Sequence, residues 1–169
     1  MEEIRNKIKE SGLISLDLAD FKPSTQSIVA FDIANFLWQG LILREKEFRT
    51  SLSEIDWSSY TAKNVYIHCS ADAIVPTWAY MLVSVKLFPI CSFCIVGTEL
   101  ELQKALINQK IDALDLKEFK DGKLIIKGCA DIPDPAFAMV QLTTKLQPVA
   151  KSIMYGEPCS TVPVYKAPR

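Results

Sequence analysis

The stretch Asn64–Tyr80, NVYIHCSADAIVPTWAY, changes its apolar period partway along. NVYIHC (64–69) is an apolar run of strand length, and after a polar turn the apolar residues continue to about position 87. The pattern predicts a short buried strand over 64–69 and a helix over 73–87. Cys69 then falls at the strand's carboxyl end, Asp72 at the helix cap and Pro76 in the first helical turn. A strand feeding a helix in this way is half of a crossover unit. Ligands of parallel α/β sheets bind at such corners, where strand ends and helix starts open onto a crevice.

Downstream the same alternation repeats. ICSFCIV (90–96) reads as a strand ending at Gly97, and Thr98-Glu99-Leu100-Glu101 is a capping box opening a helix to about Lys110. Asp121-Gly122 turns the chain into strand KLIIKG (123–128), which ends at Cys129. Asp134-Pro135 places a cap and a first-turn proline before a helix over 136–146, followed by strand AKSIMY (150–155). Pro163 and Pro168 keep the tail GEPCSTVPVYKAPR (156–169) extended or at a sheet edge.

Upstream, residues 2–11 predict a short charged helix, Leu13–Leu18 a half-buried or edge strand, and SIVAFDI (27–33) a second strand. Leu41, Phe48, Leu52 and Ile55 keep helical spacing, which places a surface helix over about 42–54. The order of elements predicts an α/β protein: a mostly parallel sheet with helices on both faces. It reads as a single domain over 1–169, with N-terminal edge elements in 1–60, a crossover core over 64–155 and an extended tail over 156–169.

Nineteen basic residues against twenty acidic ones leave no electrostatic footprint for nucleic acid. No apolar run approaches the ~20 residues of a membrane span, and the charged N-terminus MEEIRNKIKESG lacks the core of a secretory signal. The expectation is a soluble, cytoplasmic protein. In that setting five cysteines point to thiols or metal ligands rather than a disulfide framework. There is no G-x-G-x-x-G and no Walker loop, so no nucleotide cofactor is expected, and neither G-x-S-x-G nor H-E-x-x-H occurs.

In one parallel sheet all carboxyl ends share an edge. Cys69 and Cys129 each end a strand and Cys159 follows the last by four residues, all in polar or Gly/Pro-containing breaks. Asp72 and Asp131 lie close to two of them. Thiolates with carboxylate or imidazole form a four-coordinate set suited to zinc or iron. The leading expectation is therefore a metal site built from Cys69, Cys129 and Cys159, with Asp72 or His68 as fourth ligand and Asp131 beside it.

Two other readings use the same residues. Helix N-termini favour thiolate, so Cys69 or Cys159 would serve as nucleophile in a thiol-based sulfur-transfer (persulfide) enzyme. Alternatively the domain is non-catalytic, and the tail GEPCSTVPVY recognises a protein partner or completes a homodimer. Ordinary packing also accounts for buried cysteines, and helix capping for Asp72 and Asp134. Cys91 and Cys94 fall inside the predicted strand, where i and i+3 face opposite sides, so they read as packing. His68-Cys69 is no phosphatase loop, because the sixth residue beyond Cys69 is Val75 rather than arginine. Phe36, Leu37, Trp38, Leu41 and Ile42 concentrate apolar surface, for the core or for a dimer contact.

SADAIVPTWAYML, IKGC and KSIMYGEPCSTVPVYK together resemble an uncharacterised bacterial domain-of-unknown-function family, from LISLDL to the tail. The matching stretches include Cys69, Asp72, Cys129 and Cys159, whereas the positions of His68, Cys91 and Cys94 are outside the family's pattern. The resemblance attaches no activity to these motifs. Through the neighbourhood of the family's genes it implies a link to iron–sulfur cluster assembly, where scaffold proteins also use three cysteines and an aspartate, though no motif of theirs is matched here.

Overall fold

The computed structural model describes residues 12–128 and 131–168; the helix expected over 2–11 and Cys129 lie outside the described residues. The chain is α/β with mostly parallel strands, as the pattern predicts, but the strands are divided between two sheets. It forms two compact units, one of residues through Pro23 together with those from Lys104 onward, the other Ser24–Gln103.

The Ser24–Gln103 unit holds β2 (Ile28–Asp32), β3 (Asn64–His68) and β4 (Phe93–Val96), all parallel and in chain order. Their crossovers carry α1 (Glu45–Glu54) and α2 (Thr77–Leu87). Phe48 and Leu52 of α1 and Ala79, Val83 and Leu87 of α2 pack with Phe31, Val65 and Ile67 of the sheet, so both helices lie on one face. Phe31 is the centre of this core. Its ring stacks on Phe36 at 5.5 Å and on Trp57 at 5.6 Å, and the Trp57 indole N–H donates to the Leu52 carbonyl at 3.0 Å.

Three boundaries of this unit differ by three residues or more from the sequence reading. α1 starts at Glu45 rather than about 42: Leu41 and Ile42 are exposed, and Ile42 forms a small bridge with Trp38. α2 starts at Thr77 with Pro76 as its N-cap, so Asp72 caps no helix and stands exposed in the preceding loop. The residue before a proline is driven to extended backbone, which stops the helix from reaching back to position 73. β4 begins only at Phe93, which leaves Cys91 in the turn that follows α2.

The other unit holds β1 (Leu13–Asp17), β5 (Lys123–Lys127), β6 (Ser152–Glu157) and β7 (Ser160–Lys166) in the order β1-β5-β6-β7. The first three are parallel; β7 folds back antiparallel on β6 and is an edge strand, in keeping with its proline. The division between the units falls within α3 (Glu99–Asp112), which opens on the expected capping box: the Thr98 amide donates to Glu101 Oε2 at 2.7 Å, and the Glu101 amide to Thr98 Oγ1 at 3.3 Å. α4 (Pro135–Leu146) is capped by Asp134, whose Oδ1 accepts from the Phe137 amide at 3.0 Å.

Ile107 and Ile111 of α3 and Ala138, Leu142 and Leu146 of α4 pack with Leu124, Ile126 and Ile153 of the sheet. Gly156, next to last in β6, has φ +118°, and a Cβ there would stand 2.5 Å from the Ser160 carbonyl oxygen, so only glycine lets the chain turn into β7.

Candidate functional site

Cys69 and Cys159 do not share a sheet edge. Cys69 follows β3 in the three-stranded sheet, Cys159 sits in the β6–β7 turn of the four-stranded sheet, and Cys129 lies outside the described residues. A strand's carboxyl end joins a common edge only if the strand joins the common sheet, and the crossover through α3 delivers β5 to β1 instead. Among the described residues no three His, Cys, Asp or Glu side chains are grouped to hold a metal ion.

Each remaining candidate has a definite setting. Cys69 is half-buried against the core of its unit, and its thiol donates to the Ala71 carbonyl at 3.5 Å. Cys159 is exposed. His68 lies over Tyr66, ring centroids 5.2 Å apart, on the sheet face opposite Val65 and Ile67, whereas Cys69 packs with those two residues. Asp131 pairs with Lys22 at 2.8 Å, and that hydrogen bond and charge hold its carboxyl below the usual carboxylate range.

The carboxyl edge of the three-stranded sheet also carries Asp32, which the sequence reading passed over although it closes SIVAFDI. Its carboxylate accepts from the Ala34 amide at 2.9 Å and from the Ser70 amide at 3.0 Å and hydroxyl at 2.5 Å. Burial works against its charge, but the Ser70 and Ala34 donors outweigh it, with help from nearby His68, and its pKa is lowered. With the Ala34 donor fixing the turn after β2 and the Ser70 donors fixing the loop after β3, this carboxylate reads as a strut. Tyr80, pushed up first by burial and then by Cys69, is a poor proton donor at neutral pH.

A different surface emerges on the other unit. A groove of about 360 Å³ runs between α4 and the β6–β7 hairpin, walled by Ile126, Met139, Val140, Ile153, Tyr155 and Val164, with Thr143 and Thr144 among the remaining lining residues. Val140, Tyr155, Val162 and Val164 are exposed. The cause lies in the topology: α4 covers the sheet over β5 and β6, and the hairpin extends beyond it. Gly128 shapes one wall, because a Cβ there would stand 2.5 Å from Tyr155 Cε2 and 2.7 Å from Met139 Cε. Periodicity cannot reveal such a groove, since it belongs to the space left between two elements.

Near the carboxyl ends of β5 and β6, Lys127 and Glu157 pair at 3.4 Å, and Lys104 pairs with Asp134 at 2.6 Å while lying over the Phe137 ring. These pairs hold loops and the start of α4 in place.

The fold and its surfaces define an α/β protein of two sheets with an open apolar groove, and no helix among the described residues is long and apolar enough to cross a membrane. The chain belongs to the DUF2480 family of proteins of unknown function, which it matches over residues 2–167. Neither the curated proteins nor the solved structures provide a match.

Proposed function

We propose that this protein is a non-catalytic interaction module whose groove between α4 and the β6–β7 hairpin receives an apolar segment of a protein partner. The observation that carries the reading is the continuity of the groove with exposed Val140, Val162 and Val164. Contiguous exposed apolar surface of this kind marks interaction sites in folded proteins. The lining carries no charged side chain, its polar groups being the hydroxyls of Thr143, Thr144 and Tyr155, and its mainly apolar wall suits apolar side chains of a partner. Pro163, without a backbone N–H, blunts strand addition along β7, which leaves the groove rather than the strand edge as the contact.

The metal site loses the shared sheet edge for Cys69 and Cys159 from which it was argued, and neither it nor the persulfide enzyme gains a contact among the described residues. Zinc or iron bound through Cys69, Cys129 and Cys159 therefore stays a separate reading with its own measurement, given below.

The test places a photo-crosslinking amino acid at Val164 in cells that normally make the protein. One defined protein adduct, lost when Val140→Glu is added, supports the reading, whether the captured chain is a second copy or another protein. Adducts that ignore Val140→Glu, or that form equally from exposed Lys117, sink it.

A further inference from the structure

Cys91-Ser92-Phe93-Cys94 does not lie along one strand. The chain leaves α2 through a tight turn in which the Ile90 and Cys91 amides both donate to the Leu87 carbonyl, at 3.0 and 2.9 Å. Ser92 is then pinned by its amide to the Lys63 carbonyl at 2.8 Å, and β4 starts at Phe93. Strand alternation, which would separate i from i+3, applies only from that point on. The turn keeps Cys91 on the side of the sheet where Cys94 also lies, so both side chains pack against the same core three residues apart, and the two thiols are near enough to influence one another.

Both side chains are half-buried against the core of their unit. β4 is the edge strand of its sheet, and Cys94 lines an open cleft of about 290 Å³ with Ser84, Val85 and Phe88 of α2. Phe88 is 85% exposed, so one rim of that cleft stands in solvent.

We infer that Cys91 and Cys94 form a reversible dithiol–disulfide site that reacts by exchange with small disulfides, Cys94 attacking through the cleft and Cys91 resolving. In the first step the Cys94 thiolate attacks one sulfur of the small disulfide, forms a mixed disulfide and releases one small thiol. In the second the Cys91 thiolate attacks the Cys94 sulfur, closes the protein disulfide and releases the other small thiol. Two protein thiols are oxidised and one small disulfide is reduced to two thiols, with both protons passing to the released thiolates.

Burial, with the nearness of Cys94, pushes the Cys91 thiol up. Closure is therefore slow at neutral pH and accelerates as pH rises, and a poor leaving thiol makes the finished disulfide resistant to reduction.

The experiment equilibrates the reduced full-length protein with glutathione and glutathione disulfide at graded ratios, traps it with acid, and alkylates free thiols. Tryptic cleavage after Lys86 and Lys104 isolates a peptide carrying Cys91 and Cys94 and no other cysteine. As the ratio rises, that peptide should lose two hydrogens and escape alkylation at both positions. Cys91→Ser should trap a glutathione adduct on Cys94, and Cys94→Ser should show neither disulfide nor adduct in this peptide. A wild-type peptide that stays doubly alkylated at every ratio, or a disulfide from Cys91 or Cys94 to a third cysteine, overturns the inference.

Discussion

Gly128→Ala tests the groove where its wall depends on a missing side chain. The new methyl would stand 2.5 Å from Tyr155 Cε2 and 2.7 Å from Met139 Cε. Non-bonded carbons rest about 3.5–4.0 Å apart, so each group must retreat by about 1 Å. Met139 turns aside on its flexible thioether at small cost. The Tyr155 ring is rigid and moves by swinging off its rotamer, which costs ~0.5–1.5 kcal/mol. Gly128 is not among the positive-φ glycines, so alanine fits its backbone and restricts the unfolded chain, returning ~0.4–1 kcal/mol.

The net loss of stability is thus about 1 kcal/mol or less, a fall of about 2–4 °C in Tm for a chain of this size. Docking should suffer more, because both displaced side chains wall the groove. A docking loss of about 1.4 kcal/mol is a tenfold drop in affinity, read as crosslinking yield at Val164 against partner concentration, with urea unfolding run in parallel. A stability loss of about 3 kcal/mol or more, the size of a core truncation, would refute the reasoning. So would a crosslink titration identical to wild type.

Other outcomes follow from the same contacts. Phe31→Ala empties the centre of the Phe36–Trp57 stack at a residue 2% exposed and should cost about 3–5 kcal/mol, seen in urea unfolding followed by tryptophan fluorescence. A loss below about 1 kcal/mol would mean the stack relaxes around the gap. The hydrogen bond from Lys104, with the Phe137 amide, holds the Asp134 carboxyl below the usual range. Its contribution is therefore complete above the ordinary carboxylate pKa and fades as pH falls through the lower folded value. Asp134→Asn, which still tolerates φ +46°, should melt below wild type at neutral pH and converge with it in acid; a gap constant with pH would contradict the ion-pair account. Elemental analysis after anaerobic purification should find equal metal in wild type and in a Cys69→Ser, Cys129→Ser, Cys159→Ser variant if the interaction reading is right. Stoichiometric zinc or iron lost from the triple variant would return the assignment to a metal site.

Local sequence determined the elements and their ends wherever a short-range rule governs them. Thr98-Glu99-Leu100-Glu101 caps α3 and Asp134-Pro135 opens α4 because each cap is completed within a few residues. The runs NVYIHC and KLIIKG became parallel strands, and the proline-bearing tail an edge strand. Where the reading missed, a local rule was often present but misjudged: Pro76 is itself the N-cap of α2, and the turn after Leu87 delays β4 past Cys91.

The tertiary structure decided which strands share a sheet, and with it the setting of each candidate residue. Strand–helix–strand looks the same in sequence whether the next strand joins the same sheet or another. That choice rests on which apolar faces pair once the crossover is made, here β5 on β1 and β6 rather than on β4. The consequence reaches NVYIHCSADAIVPTWAY, whose Cys69 ends a strand of one sheet while Cys159 turns a hairpin of the other. The groove is equally tertiary, since it is space left where α4 stops short of the hairpin, whereas the placing of Cys91 beside Cys94 comes from a local turn that lifts strand alternation.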